Sequence, residues 1–460
     1  MLITGAIDSV RNLPSNALFG SSLIFFTILS AIFFLVPVAL VSAELSSCGS
    51  EKSGVYQWIR TAFGDKWAFL AIWLQWINTM VWFPTILSVI AGTLAYLVNP
   101  NLAQNKIYLV SVILITFWSL TLINLKGIKT SVTLNTFCQV AGMVIPMLFI
   151  IALAIVWIII GKPMQIHFGA SDLVPSFHKV NDWISLTAIM TAFLGMELAA
   201  VHVKDIKNAQ NSFPRALFFS VIIIVMTMVF GSLAIAIVLP ANKINLVNGV
   251  MQAFANFFAA YHMSWMVPVA TLMLVIGNFG EMINWVISPA KGLLQAARTG
   301  YLPEFFRKEN QHGVASNLLI TQAVLVTLIC VAFLLMPSVN GSYWLLTDLS
   351  TQLYMLMYVI LFIAGIVLKY KLAHEHKTFK VPGGKFGMWI VCLFGLIGCA
   401  VTLVIGFFPP DGVNVGGTLH YEMVFSAGIL AMIVPVLFFY GYKYVKFGRS
   451  AQGASATEPT

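Results

Sequence analysis

Apolar runs of about twenty residues recur along the whole chain, separated by short polar segments, and no other feature constrains its fold as much. Ser21 to Ala43, Lys106 to Asn124, Leu217 to Leu239, Leu318 to Met336, Met388 to Phe408 and Met423 to Tyr444 are clear instances. Coiled as helices, such runs are about 30 Å long, the thickness of a bilayer's hydrocarbon core. Lipid offers backbone groups no partners, so a span must satisfy its own hydrogen bonds, as a helix does. Charged residues make up only 9% of the chain and hydrophobic ones 59%, whereas soluble domains carry about a quarter charged. The expected fold is an all-α polytopic membrane protein of about twelve spans.

A net charge of +9 would suit a nucleic-acid partner, but its distribution argues against one. Threading the spans places twenty of the 25 Lys and Arg on one side, from Lys52, Arg60 and Lys66 to Lys443, Lys446 and Arg449. The other side receives Lys106, Lys162, Lys179 and Lys243, while Arg11 falls inside the first span. The positive-inside rule therefore puts the crowded loops and the C-terminus in the cytoplasm. No cleavable signal peptide is expected at the start. Cys48, Cys138, Cys330, Cys392 and Cys399 lack disulfide or metal-ligand spacing. With no P-loop, HExxH or nucleophile elbow, the sequence predicts no enzyme, no cofactor and no metal site. A channel is disfavoured because no filter-like glycine loop recurs.

The stretch Asp182 to Arg215 opens as an apolar run and carries Gly195 and Glu197 near its middle. A carboxylate at that depth costs at least a few kcal/mol unless it meets water, a partner or a cavity. A glycine there permits a helix to unwind, as discontinuous transporter helices do around a substrate. The structural alternative is a close helix contact at Gly195 with a partnered Glu197. MLITGAIDSVRNLPSNALFG, with Gly5, Asp8, Arg11, Asn12 and Pro14, reads as the second half of another broken helix. Two interrupted helices five spans apart imply an inverted repeat. The expected divisions are 1–160, with an incomplete first helix, 161–370 for the second repeat, 371–444 for two further helices, and 445–460 as a disordered cytoplasmic tail.

Few other residues could carry chemistry. Glu281 lies at the centre of its span with Asn278 one turn before, either facing substrate or protons or neutralised by neighbouring helices. Asp348, near an outer end, is expected to be solvated. Tyr354 and Tyr358, and the tryptophans at 67, 73, 76 and 82, are expected mainly to pack. Arg11, if embedded, should pair with a carboxylate or face the outer vestibule.

LVPVALVSAEL, GVYQWIRTAFG, LGMELAAVHVKDIKNAQNSFPRAL, GNFGEMINWVISPAKGLLQAARTGYLP and TFKVPGGKFG together resemble the amino acid–polyamine–organocation transporters over essentially the whole chain. Within that superfamily the likeness is greatest to the bacterial glutamate/GABA antiporter family. The resemblance implies the leucine-transporter-type fold, a five-plus-five inverted repeat with two additional C-terminal helices. It implies amino acid exchange across a bacterial cytoplasmic membrane, with amino acid substrates and the lipid bilayer as partners and a homo-oligomer left open. It places substrate at Thr4, Gly5, Ala6 and Ile7 and at Phe193, Leu194, Gly195 and Met196. Glu197 and Glu281 stand as candidates for proton coupling. Half-helix N–H groups suit an α-carboxylate and exposed carbonyls an α-ammonium. TGAIDS replaces the superfamily's Gly-Ser-Gly-type signature, and only a short tail follows Tyr444 where some exchangers carry a long plug. Met1 lies too close to Gly5 for the cytoplasmic half-helix that relatives carry, so the first helix reads as truncated and the frame as starting further upstream. The alternative function is a non-transporting sensor or assembly partner on the same fold.

Overall fold

A computed structural model describes residues 9–47, 54–127, 132–175, 183–198, 209–375, 377 and 379–455; at 132–135, 185, 209–211, 281, 283, 284, 288, 295, 296 and 446–455 it describes the backbone alone. Among the described residues the regular elements are all helical. After a 3-10 turn at Val10–Asn12 come α1 (Leu13–Ala17), α2 (Gly20–Ser46), α3 (Val55–Phe63), α4 (Asp65–Leu94), α5 (Lys106–Leu125) and α6 (Thr136–Ile159). The second half holds α7 (Ser185–Ala192), α8 (Ala209–Val238), α9 (Gly249–Ala260), α10 (Val267–Ala297), α11 (Ser316–Ile329), α12 (Val339–Lys371), α13 (Gly384–Ile405) and α14 (Thr418–Ser455). Ten described helices are long and apolar enough to cross a membrane. The short α1 and α7 are the two that the sequence marks as broken. The region Thr4–Ile7 lies outside the described residues.

Proline shapes two of the spans. It has no N–H to donate and its ring crowds the carbonyl four residues back. In α2 a π turn at Ala31–Leu35 sits just before Pro37, and in α6 another at Val140–Val144 sits just before Pro146. A widened turn absorbs the missing bond without ending the helix. The carbonyl of Phe33, four residues before Pro37, faces Gly398 of α13, where a Cβ would lie 2.6 Å from that oxygen. Similarly, α6 and α10 cross backbone to backbone, and a Cβ on Gly142 would come within 2.1 Å of Gly277 Cα. Small residues at such crossings let membrane helices approach closely.

The helices form two groups. Helices α1, α2, α7 and α8 pack on one another, as do α4, α5, α10 and α11, and α12 runs along α4 and α13 while also touching α2 and α7. Within the second group Gln322 of α11 accepts from Trp76 Nε1 at 2.8 Å and donates to the Val286 carbonyl at 3.1 Å, so a polar side chain without solvent access is bonded at both its oxygen and its nitrogen. The amphipathic α3 buries Val55, Tyr56, Trp58, Ile59 and Ala62 on one face. The short helix α9 buries Phe254, Phe257 and Phe258. Helix α14 continues past Tyr444 to Ser455, so the backbone at 445–455 is helical where a disordered tail is expected. No proline interrupts 445–455, although Gly448 and Gly453 lower the helix preference there.

At the end that carries the basic loops, Glu44 of α2 is wholly buried between two cations. Lys369 of α12 reaches its two oxygens at 2.8 and 2.7 Å, and Lys377 reaches Oε1 at 3.0 Å. The Val381 N–H donates to Oε2 at 2.8 Å. One carboxylate thus joins α2, α12 and the segment leading into α13. Removing one member of a buried ion pair costs about 3–5 kcal/mol, because the partner charge stays behind in low dielectric. Glu44→Gln is therefore expected to lower the thermal unfolding temperature of the detergent-solubilised protein sharply. Adding Lys369→Met and Lys377→Met to Glu44→Gln should recover much of that loss, and a single variant as stable as the parent would show the cluster to be inessential.

Candidate functional site

Helix α7 ends where the sequence marks the break. Phe193 N–H bonds to Met190 O at 3.0 Å and Leu194 N–H to Thr191 O at 3.4 Å, so the ladder tightens from four-residue to three-residue spacing. Gly195 then takes φ of +104°, a conformation that L side chains rarely adopt. Its N–H leaves the backbone ladder and donates to Tyr358 Oη at 2.9 Å. A single turn follows, closed by Leu198 N–H on Gly195 O at 3.0 Å, and that turn aims Glu197 back into the protein. Phe193, Gly195 and Met196 are buried, and Leu194 is half-buried.

Glu197 has no solvent access, and both of its oxygens are engaged. Tyr354 Oη donates to Oε1 at 2.5 Å, and Tyr358 Oη donates to Oε2. Gln75 of α4 donates through Nε2 to Glu197 Oε1 and approaches Tyr354 Oη, each at 3.3 Å. Tyr358 Oη thus accepts from the Gly195 backbone and donates to the Glu197 carboxyl. Thr351, Tyr354 and Tyr358 recur at helical spacing, so α12 presents one polar stripe to the break. Thr351 Oγ1 meets Thr191 Oγ1 at 2.6 Å, and Phe34 packs edge-on against the Tyr358 ring at 4.9 Å. No cation lies within ion-pair distance of Glu197 among the described residues. Neutral donors hold it, so it can exchange a proton without breaking an ion pair.

The other sequence candidates divide. Tyr354 and Tyr358, expected to pack, bind Glu197. Asp348, expected to be solvated, is 2% exposed and accepts from Tyr421 Oη at 2.6 Å, because α13 and α14 cover that part of α12. Gln352, one turn on, donates to Thr402 O at 2.8 Å, and a Cβ on Gly406 would lie 1.8 Å from Gln352 Nε2. Asn278 turns back to Leu274 O at 2.7 Å, and the side chain of Glu281 lies outside the described residues. Arg11 does not form the carboxylate pair or open vestibule contact expected of it among the described residues: it is 4% exposed and donates through Nη1 to Thr85 Oγ1 at 2.6 Å. Gln75 is a residue that sequence reasoning missed. Its signal would have been an amide inside a Trp-rich apolar helix. Asp348→Ala should cost about 1–3 kcal/mol, because it leaves the buried Tyr421 hydroxyl only the long contact to Gly406 O at 3.5 Å. Asp348→Asn keeps an acceptor and should melt close to the parent; equal melting of both variants would show the contact to be idle.

Comparison with known proteins bears on what such a break serves. The amino acid permease family matches residues 1–439. An uncharacterized transporter of Legionella pneumophila is 38% identical, the match covering 94% of this chain and 93% of that one. A glutamate/gamma-aminobutyrate antiporter of Lactococcus lactis is 30% identical over 95% of this chain and 88% of that one. A probable agmatine/putrescine antiporter of the same species is 24% identical over 85% and 83%. A helix interrupted at Gly195, a carboxyl beside the interruption and a family match from end to end agree: the chain belongs to the amino acid permease family, a group of multi-pass membrane transporters within the amino acid–polyamine–organocation superfamily.

Proposed function

We propose that this protein is an amino acid antiporter of the glutamate/GABA-exchanging kind, working by alternating access around the break at Gly195. The observation that carries the reading is the Glu197 cluster, in which the unwound Gly195 N–H, two tyrosines and a glutamine converge on one buried carboxyl. The Lactococcus lactis antiporter at 30% identity supports the exchange mode. On this reading substrate sits against Phe193 to Met196 and against Thr4 to Ile7, whose arrangement lies outside the described residues. Glu197, with Glu281 beside it as a second candidate, carries the proton that links transport to pH. The two interrupted segments, five spans apart, make 1–160 and 161–370 inverted repeats, with 371–444 added. The setting is a bacterial inner membrane with the C-terminus in the cytoplasm, as the Lys and Arg distribution favours.

Purified protein in liposomes preloaded with amino acids tests the whole reading. Exchange of glutamate, GABA or another amino acid is expected. Its absence across the standard amino acids and GABA would favour a sensor or assembly role instead.

Gly195→Leu should abolish exchange while protein still reaches the membrane, since any side chain at that φ adds strain of about 1–3 kcal/mol. Exchange at the parental rate would mean that the unwinding is dispensable.

Glu197→Gln keeps the size of the side chain and one acceptor oxygen but removes its titration. Uptake by this variant should lose most of its pH dependence, and Glu281→Gln is expected to flatten the profile as well. A parental pH profile in either variant would remove that residue from the coupling.

A further inference from the structure

Arg11 is a buried cation whose charge nothing described neutralises. It stands in the 3-10 turn leading into α1, and Tyr343 Oη of α12 donates to its carbonyl at 3.3 Å. Besides donating to Thr85, its guanidinium lies 5.4 Å over the Trp82 ring, and its Nε has no acceptor. A hydroxyl and an aromatic face solvate a guanidinium in part, with cation–π worth about 0.5–2 kcal/mol. Neither supplies the missing negative charge, and no carboxylate pairs with it among the described residues. Thr85 is ten residues beyond Gln75 on α4, about 15 Å along the axis, so Arg11 stands apart from the Glu197 cluster, toward the end of α4 away from the basic loops.

We propose that Arg11 is a specificity-determining residue that pairs with the side-chain carboxylate of an acidic amino acid. This rests on the exchange function proposed above. Charge balance selects the ligand class. A net-neutral zwitterion, GABA included, leaves the buried +1 uncompensated and so binds as the weaker member of an exchanged pair, whereas glutamate or aspartate brings a net −1. The planar guanidinium holds a carboxylate through two parallel N–H donors, and the idle Nε is one member of such a pair.

The test is counterflow in liposomes with labelled glutamate and labelled glutamine, which differ by that one charge. Parental protein should prefer glutamate. Arg11→Gln should lower the glutamate-to-glutamine ratio by about tenfold or more, and Arg11→Lys should keep part of it. An equal fall for both substrates, or none, would overturn the proposal while leaving exchange itself intact; loss of exchange by the parent would instead overturn the function on which it rests. Asp8, three residues earlier and outside the described residues, is the rival counter-charge. Asp8→Asn should leave the ratio largely unchanged, and restoration of glutamate preference in the Asp8→Asn/Arg11→Gln double variant would make Arg11 a structural partner instead. If neither Arg11 variant reaches the membrane, competition on the parent decides. Glutamate should displace label at about tenfold lower concentration than glutamine, and equal competition would overturn the proposal.

Discussion

Everything in the middle of this protein is arranged around the problem of keeping one carboxyl, Glu197, inside a membrane. An ionisable group at that depth is tolerated only with partners, and here the partners come from two different helices. Tyr354 and Tyr358 of α12 and Gln75 of α4 saturate its oxygens. Those same contacts need Glu197 to point inward from a turn that begins at Gly195, with φ of +104°. Break and carboxyl are therefore one device: the unwound N–H is capped by the hydroxyl that also binds the acid.

Helix α12 carries this arrangement along its length. Near its start Tyr343 holds the Arg11 carbonyl and Asp348 binds Tyr421; at its middle lie the two tyrosines; near its end Lys369 meets Glu44. At these positions, and at Ser350 and Thr351, polar residues of α12 meet a polar group from a neighbouring segment. A helix facing lipid on most sides could not carry so many polar groups, and α12 is among the most buried of the spans.

Much of this was legible in the sequence. Apolar run length located the spans, although α8 begins eight residues before its run and α14 ends eleven beyond its own, and Gly195 with Glu197 located the break, because a glycine and an acid inside an apolar run are each costly without a purpose. What stayed hidden was pairing. Glu44 reads as the end of a span until Lys377, more than three hundred residues later, is seen beside it. Asp348 reads as an outer-end acid because the sequence does not show that α13 and α14 fold over it. Tyr354 and Tyr358 lie one turn apart on an otherwise apolar helix, a spacing that marks a face without saying what the face meets. Run length and residue cost are local properties, whereas a partner across the fold is not.

The distribution of bond types bears on how such a protein would move. The broken α7 meets α12 and α4 through hydroxyl, amide and carboxyl groups: Thr191 on Thr351, Gly195 on Tyr358, and Glu197 on Tyr354, Tyr358 and Gln75. Hydrogen bonds of this kind contribute about 0.5–1.5 kcal/mol net each when water or a substrate can take over the freed groups. The α4–α12 contact carries the Asn78–Ser350 and Gln75–Tyr354 pairs amid mostly apolar buried residues, and opening its apolar part would leave voids that no substrate fills. On the proposed exchange function the polar seam at the break is thus the cheaper place to part, and a substrate bringing its own ammonium and carboxylate would offer the groups that parting exposes. Glu44 sets the opposite condition at the basic end, where a pair of lysines on one buried acid resists separation until water reaches it. On the proposed alternating-access function, an ion cluster at the basic mouth makes that mouth costlier to open than the hydrogen-bonded seam at mid-depth.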